Sequence, residues 1–346
     1  MAYKVLIVED SAFMRKKITN ILTADNQLEV VATARNGQEG VELCRELKPD
    51  VVTMDIEMPV MDGLTALEQI MEKDPVPVVM LSSLTSEGAD ATMKALDIGA
   101  VDFICKPSGA ISLDLGKIEE EIVLKVKTAA QAKVRAGRPV RLQPNLPKLT
   151  SPVTQEVKKL NKILAIGTST GGPKALQEII PLLPRSIPAG IVIVQHMPKG
   201  FTKSLADRLD SLSQIAVREA QDGDEVVPGL ALIAPGDYHM ELQQMGAKTV
   251  VRLNQEPPVG GHRPCVDVMM KSVVKIGLTT IGVILTGMGQ DGVEGMELIK
   301  KSGGQTIAQD QETCIVFGMP KVAIERNCIN KIVPLPKIAL EIMKML

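Results

Sequence analysis

Lys162-Ile163-Leu164-Ala165-Ile166 leads directly into Gly167-Thr168-Ser169-Thr170-Gly171-Gly172-Pro173. The apolar run reads as a buried strand, the glycines as a tight turn, and Pro173 as the first turn of a following helix. Helical apolar spacing continues over Ala175 to Leu183. Two more segments repeat the pattern. Gly190-Ile191-Val192-Ile193-Val194 precedes Gln195-His196-Met197-Pro198, and Ile281 to Thr286 precedes Gly287-Met288-Gly289-Gln290-Asp291-Gly292. In an open parallel α/β sheet, ligands bind beyond the carboxyl ends of the strands. Ser169, His196 and Asp291 therefore fall where three separate segments deliver a nucleophile, a base and a base-orienting carboxylate to one sheet edge.

Outward from these segments, further apolar runs occur at Leu230 to Ala234, Val250 to Leu253, Thr306 to Ala308 and Ile332 to Val333. Residues 161–346 read as a doubly wound, mostly parallel Rossmann-like sheet. Gly167-x-Ser169-x-Gly171 fits the nucleophile-elbow pattern, but the chain order Ser, His, Asp differs from that of the α/β-hydrolases. A glycine-rich turn opening a helix is also an anion site. The Gly-Lys-Ser/Thr continuation of a nucleotide loop is absent. Three histidines compete for the role of base: His196, His239 and His262. Position after a strand favours His196, and a strand-end site between glycines favours Asp291 over Asp237 and Asp267.

The first 128 residues read as five βα units. Apolar runs at Tyr3 to Val8, Leu28 to Ala34, Val51 to Met54, Val76 to Leu81 and Ala100 to Ile104 alternate with helical spacing at Phe13 to Leu22, Gly37 to Leu47, Gly63 to Met71, Ala89 to Leu96 and Leu115 to Thr128. That alternation predicts a flavodoxin-like (βα)5 domain with a parallel sheet. Glu9 and Asp10 follow the first strand, Asp55 the third, Ser82 the fourth and Lys106 the fifth. Carboxylates converging at strand ends are hard ligands suited to Mg²⁺. Lys106 and Ser82 suit phosphoryl oxygens.

Val5-Leu6-Ile7-Val8-Glu9-Asp10-Ser11, Met54 to Gly63 and Lys106-Pro107 resemble the motifs of two-component receiver domains over residues 1 to about 125. The resemblance implies that Asp55 accepts a phosphoryl group. It implies that Glu9, Asp10 and Asp55 hold Mg²⁺ with the carbonyl of Glu57, and that Ser82 and Lys106 read the phosphate. Phe103 matches the aromatic that repositions in such switches. Glu9 stands where Asp is commoner.

Residues 129–160 carry Pro139, Pro144, Pro147 and Pro152 with Lys133, Arg135, Arg138, Arg141 and Lys148, the composition of a basic, semi-rigid linker. Beyond it, Gly167 to Pro173, Gln195 to Phe201, Arg263-Pro264-x-Val266-Asp267 and Leu285 to Gly292 resemble the chemotaxis protein-glutamate methylesterases over residues 163–346. The resemblance implies Ser169 as nucleophile, His196 as general base and Asp291 as its orienter. It also implies an oxyanion site with the Met288 N–H, a supporting role for Thr170, and Arg263 near the substrate. By resemblance the substrates are γ-glutamyl methyl esters, and glutamines to deamidate, on the cytoplasmic helices of methyl-accepting chemotaxis receptors. The same resemblance implies that the esterase step needs no cofactor, that a chemotaxis histidine kinase is the phosphodonor, and that the unphosphorylated receiver restrains the esterase.

Composition agrees with that expectation. A net charge of −2 gives no electrostatic case for nucleic acid, and the absence of Trp argues against base-stacking platforms. Five scattered cysteines without ligand spacing fit a reducing cytoplasm. Charges at Lys4, Glu9, Asp10 and Arg15 to Lys17 interrupt any signal-peptide core, and no run reaches the roughly 18 apolar residues of a membrane span. Two other classes compete. A transcriptional regulator needs a basic helix-turn-helix, against which the long strand runs speak. A non-catalytic adaptor does not need the Ser, His and Asp set.

Overall fold

The computed structural model describes residues 2–106, 115–132, 134 and 160–346, with backbone only for 115–118. Pro107 and most of the expected linker 129–160 lie outside the described residues. The chain divides into two compact units, Met1–Arg141 and Leu142–Leu346.

In the first unit, β1 (Tyr3–Val8), β2 (Leu28–Ala34), β3 (Val51–Asp55), β4 (Val78–Ser82) and β5 (Asp102–Cys105) alternate with α1 (Ala12–Thr23), α2 (Gly37–Leu47), α3 (Gly63–Lys73), α4 (Ser86–Ile98) and α5 (Leu115–Ala130). The strands form one parallel sheet in the order β2-β1-β3-β4-β5. Val5 to Val8, Val51, Val52, Met54 and Val78 to Met80 are wholly buried, as expected of strands covered on both faces. Four of the helices start on a side-chain cap: Ser11, Asn36, Asp62 and Thr85 accept from N–H groups of the first turn of α1 to α4. Because β1 is flanked by β2 and β3, the strand order reverses there, and Glu9 and Asp10 emerge at that switch point.

The second unit contains β6 (Lys162–Thr168), α6 (Gly172–Ile179), a 3₁₀ turn (Ile180–Leu182), β7 (Gly190–Gln195), α7 (Phe201–Leu212), β8 (Ala216–Glu219) and β9 (Leu230–Ile233). It continues with β10 (His239–Met245), β11 (Lys248–Asn254), α8 (Val266–Ile276), β12 (Thr279–Ile284), α9 (Val293–Lys301), β13 (Gln305–Gln309), α10 (Met319–Glu325), β14 (Lys331–Val333) and α11 (Leu335–Met345). Seven strands make a parallel sheet, β14-β13-β12-β6-β7-β9-β8, and β10 and β11 pair separately as an antiparallel hairpin. Val250 to Leu253 therefore belongs to the hairpin and not to the βα series. On one face, Met269, Met270 and Val273 of α8 and Met296 and Ile299 of α9 join Ala165, Val192 and Ile284 in a single buried cluster. That packing fixes α8 beside the carboxyl ends of the central strands. No helix among the described residues is long and apolar enough to cross a membrane.

Candidate active site

Ser169, His196 and Asp291 follow β6, β7 and β12, which are neighbours in the order β12-β6-β7. Thr168 pairs with Gln195 and Gly167 with Ile284, so the three strands end level. Ser169 N donates to Thr286 O at 3.1 Å and His196 N to Thr168 O at 3.2 Å, tying the strand ends together. The buried Gln195 carboxamide donates to Ser169 O (3.0 Å) and His196 O (3.1 Å). One side chain thus holds both backbones, a role that nothing in the sequence marks. Gly287 approaches so closely that a Cβ there would lie 2.8 Å from Ser169 Cβ and 3.0 Å from its backbone N.

His196 Nε2 lies 2.8 Å from Asp291 Oδ2. Both side chains are only 8% exposed, so the pair is shielded from water. Asp291 also accepts from Val266 N (2.7 Å), Asp267 N (2.9 Å) and the Cys265 thiol (3.1 Å). Val266 and Asp267 open α8, whose N-cap residue Cys265 makes no side-chain cap. The distant carboxylate takes that place, satisfying orphan N–H groups at the positive end of the helix. Burial works against the charge on Asp291. The His196 hydrogen bond and charge, then the N–H groups of Asp267 and Val266, outweigh it and hold its pKa well below the ordinary carboxylate range. Burial and the Asp291 charge push the Cys265 thiol up to about 12, so it remains a donor.

With Asp291 ionised, the imidazole proton belongs on Nε2, which leaves the lone pair on Nδ1. His196 Nδ1 is buried and makes no hydrogen bond, so no contact to Ser169 is yet formed. Ser169 is half-buried at the mouth of α6. Thr170 is buried, and its carbonyl accepts from Thr286 Oγ1 at 3.0 Å; Met288 is half-buried beside Gly287. The rival His239, the first residue of β10, is buried, its Nε2 3.2 Å from Pro257 O. His262 stacks on His196, with ring centroids 3.9 Å apart and planes within 8°. Arg263 contacts Asp237 Oδ1 through Nε (3.2 Å) and Nη2 (2.5 Å), and Nη1 donates to the carbonyls of Gln255 and Glu256 at 3.0 Å each. Its guanidinium is committed to the neighbouring loop.

In the first unit, Glu9, Asp10 and Asp55 offer carboxylate oxygens within 4.8 Å of one another. Lys106 Nζ reaches Asp55 Oδ2 at 2.6 Å and Glu9 Oε2 at 3.1 Å. Burial raises the pKa of both Glu9 and Asp55, each helped by a neighbouring carboxylate and only partly offset by Lys106. For Lys106, burial opposes the charge, yet the Asp55 and Glu9 contacts raise its pKa. Asp10, Asp55, Glu57, Ser82 and Lys106 line one cavity of about 230 Å³. Ser82 Oγ is 3.1 Å from Gly88 O and accepts from Thr92 Oγ1 at 2.9 Å. Phe103 is buried, with Lys125 Nζ 5.1 Å from its ring centroid. Glu9 Oε2 is buried, and its polar contact is the ion pair with Lys106. Three carboxylates offering hard oxygens this close together fit a divalent cation.

Comparison with known proteins gives each unit a family match. The CheB methylesterase family model matches residues 164–342, and the response regulator receiver domain model matches residues 5–114. The chain belongs to the CheB methylesterase family. It is a hydrolase of that family carrying a response-regulator receiver domain. A protein-glutamate methylesterase/protein-glutamine glutaminase of Syntrophomonas wolfei is 49% identical over 348 residues, 99% of each chain. A protein of the same name from Halalkalibacterium halodurans is 48% identical, covering 97% of this chain and 96% of its own. The crystal structure of the Thermotoga maritima CheB methylesterase catalytic domain superposes with a TM-score of 0.53 at 49% identity, covering 54% of this chain and 99% of that one.

Proposed function

We propose that this enzyme hydrolyses γ-glutamyl methyl esters, and more slowly deamidates glutamines, on the cytoplasmic helices of chemoreceptors. Ser169, His196 and Asp291 are its catalytic residues. The observation that carries this reading is the shielded His196–Asp291 pair, with Nδ1 buried and unpartnered, after the strand next to the one that leads into Ser169. His196 Nδ1 takes the Ser169 proton as Oγ attacks the ester carbonyl, forming the C–O bond of the tetrahedral intermediate. The Ser169–Nδ1 contact closes when substrate binds, as catalytic hydrogen bonds that are open in the free enzyme commonly do. Backbone donors at the start of α6 and the Met288 N–H receive the oxyanion. Nδ1 returns its proton to the departing methoxide. Water then attacks the acyl-enzyme with Nδ1 as base, releasing glutamate and restoring Ser169. Ammonia is the poorer leaving group, so the amide reaction is slower by the same groups. No metal is needed for this step.

In the receiver, Asp55 accepts the phosphoryl group from a chemotaxis histidine kinase. Glu9, Asp10 and Asp55, with the Glu57 carbonyl, would hold a Mg²⁺ that supplies positive charge to the phosphoryl oxygens. Lys106 and Ser82 bind those oxygens, Phe103 follows the change, and phosphorylation raises esterase activity. The enzyme acts in the cytoplasm.

The test is methanol release from methylated receptor membranes, with and without a small-molecule phosphodonor and Mg²⁺. Ser169→Ala should lower the phosphodonor-stimulated rate by about 10⁴-fold or more. Release that survives this substitution would overturn the nucleophile. No release by the wild type would favour the adaptor reading.

A further inference from the structure

The second histidine at the site has no place in the mechanism above, and the loop that carries it is heavily built. His262 lies parallel to the His196 ring, 3.9 Å away centroid to centroid. Val259 and His262 exchange backbone hydrogen bonds of 3.1 and 3.0 Å around Gly260-Gly261, whose φ values are 59° and 84°. A two-residue turn with both central φ values positive is open to glycine and costly for other residues, so the Gly-Gly pair sets where His262 stands. The next residue, Arg263, clamps the stem to Asp237 and to the carbonyls of Gln255 and Glu256. From behind, His239 Nε2 contacts Pro257 O at 3.2 Å. Two residues further on, Cys265, Val266 and Asp267 supply three of the four donors to Asp291. One segment, 259–267, therefore touches both members of the His196–Asp291 pair: the carboxylate through N–H and thiol donors, the imidazole through a flat ring.

We propose that His262 is a positioning residue for the catalytic base. An imidazole held only through Nε2 can still swing about the line of that hydrogen bond, sweeping Nδ1 away from Ser169. A parallel ring against its face removes that freedom. Parallel stacking of this kind favours a single orientation of the two rings. The constraint acts on the alignment of Nδ1, where a misplacement near 1 Å costs on the order of 100-fold in rate. This assignment rests on His196 being the base. What it requires of residue 262 is a flat aromatic ring and not a proton.

That requirement makes the test specific. Full-length His262→Ala and His262→Phe are compared with wild type for methanol release from methylated receptor membranes, resolving kcat from KM, with His196→Ala measured in parallel. Folding is checked by thermal melting. Expected is a fall in kcat of about 10- to 100-fold for His262→Ala with KM within about twofold. His262→Phe should recover most of that loss. If His262→Ala matches wild type, or changes KM alone, the positioning role is overturned. If His262→Phe falls as far as His262→Ala, the imidazole itself is needed and the stacking role is overturned. An active His196→Ala would instead sink the proposed mechanism, whatever His262 does.

Discussion

Asp291 shows how much one side chain is asked to do. Its two oxygens take four donors: His196 Nε2 and Val266 N on Oδ2, Asp267 N and the Cys265 thiol on Oδ1. Because its folded pKa is lowered, its contribution to stability is fully present above its ordinary value of 3.8 and is lost as pH falls through the folded value. The group therefore stays ionised across any working pH. Asp291→Asn turns an amide NH₂ toward N–H donors on one side or the other and lets the imidazole proton settle on the wrong nitrogen. The expected result is a loss of kcat of about 10⁴-fold with KM little changed, read from initial rates of methanol release. A kcat within tenfold of wild type would remove Asp291 from the mechanism. At this scale the sequence was informative where a chemical residue directly follows a buried strand, as with Ser169 and His196. It was silent on which ring nitrogen faces Asp291, on the Gln195 bridge and on the His262 stack. Those depend on how loops fold back, and no local spacing encodes that.

Among the elements, the parallel strands were legible because burial on both faces makes them continuous apolar runs, as in Val51-Val52 and Ile191 to Val194. Elements that break that composition were not. Val250 to Leu253 looks like another buried strand, yet it pairs with His239–Met245, whose exposed end, Gln243 to Met245, hides the partner. The edge strand Ala216–Glu219 has only four residues and ends in Arg218 and Glu219. The strand ends of the first unit lead to a prediction. Glu9 and Asp55 have raised pKa values, so the folded state holds their protons more tightly than the unfolded chain does. They therefore cost stability as pH rises above their ordinary values of 4.5 and 3.8. A divalent cation reverses that cost and binds better as the carboxylates ionise. Mg²⁺ at 100 times its Kd should stabilise the receiver by about 2.7 kcal/mol. The shift, followed by thermal melting, should be larger at pH 7 than at pH 5. Asp55→Asn should melt higher than wild type without metal and respond less to Mg²⁺. A melting temperature indifferent to Mg²⁺ in wild type would remove the cation from this cluster.

In the whole molecule, the proposed catalytic groups all lie in one unit and the proposed phosphoacceptor in the other. A phosphoryl group at Asp55 brings about −1.5 to −2 charges and new acceptor oxygens into a cavity already holding three carboxylates and Lys106. That charge has to be accommodated within the receiver, and the esterase feels it only if the two units are energetically coupled. If the coupling is restraint by the unphosphorylated receiver, its size follows from population arithmetic. A shift from 1:99 to 99:1 in favour of the active arrangement needs about 5.5 kcal/mol, and each tenfold step about 1.4 kcal/mol. Restraint also sets a ceiling: phosphorylation cannot raise the rate beyond that of the enzyme with its receiver removed. The enzyme lacking residues 1–140 should therefore exceed the unphosphorylated full-length rate and match or exceed the phosphorylated one. Asp55→Asn should sit at the basal rate with or without phosphodonor. Methanol release by the three proteins, each with and without phosphodonor and Mg²⁺, decides the matter. A folded fragment that is slower than phosphorylated full-length enzyme would mean that the receiver activates directly, because removing a restraint cannot leave less activity than relieving it.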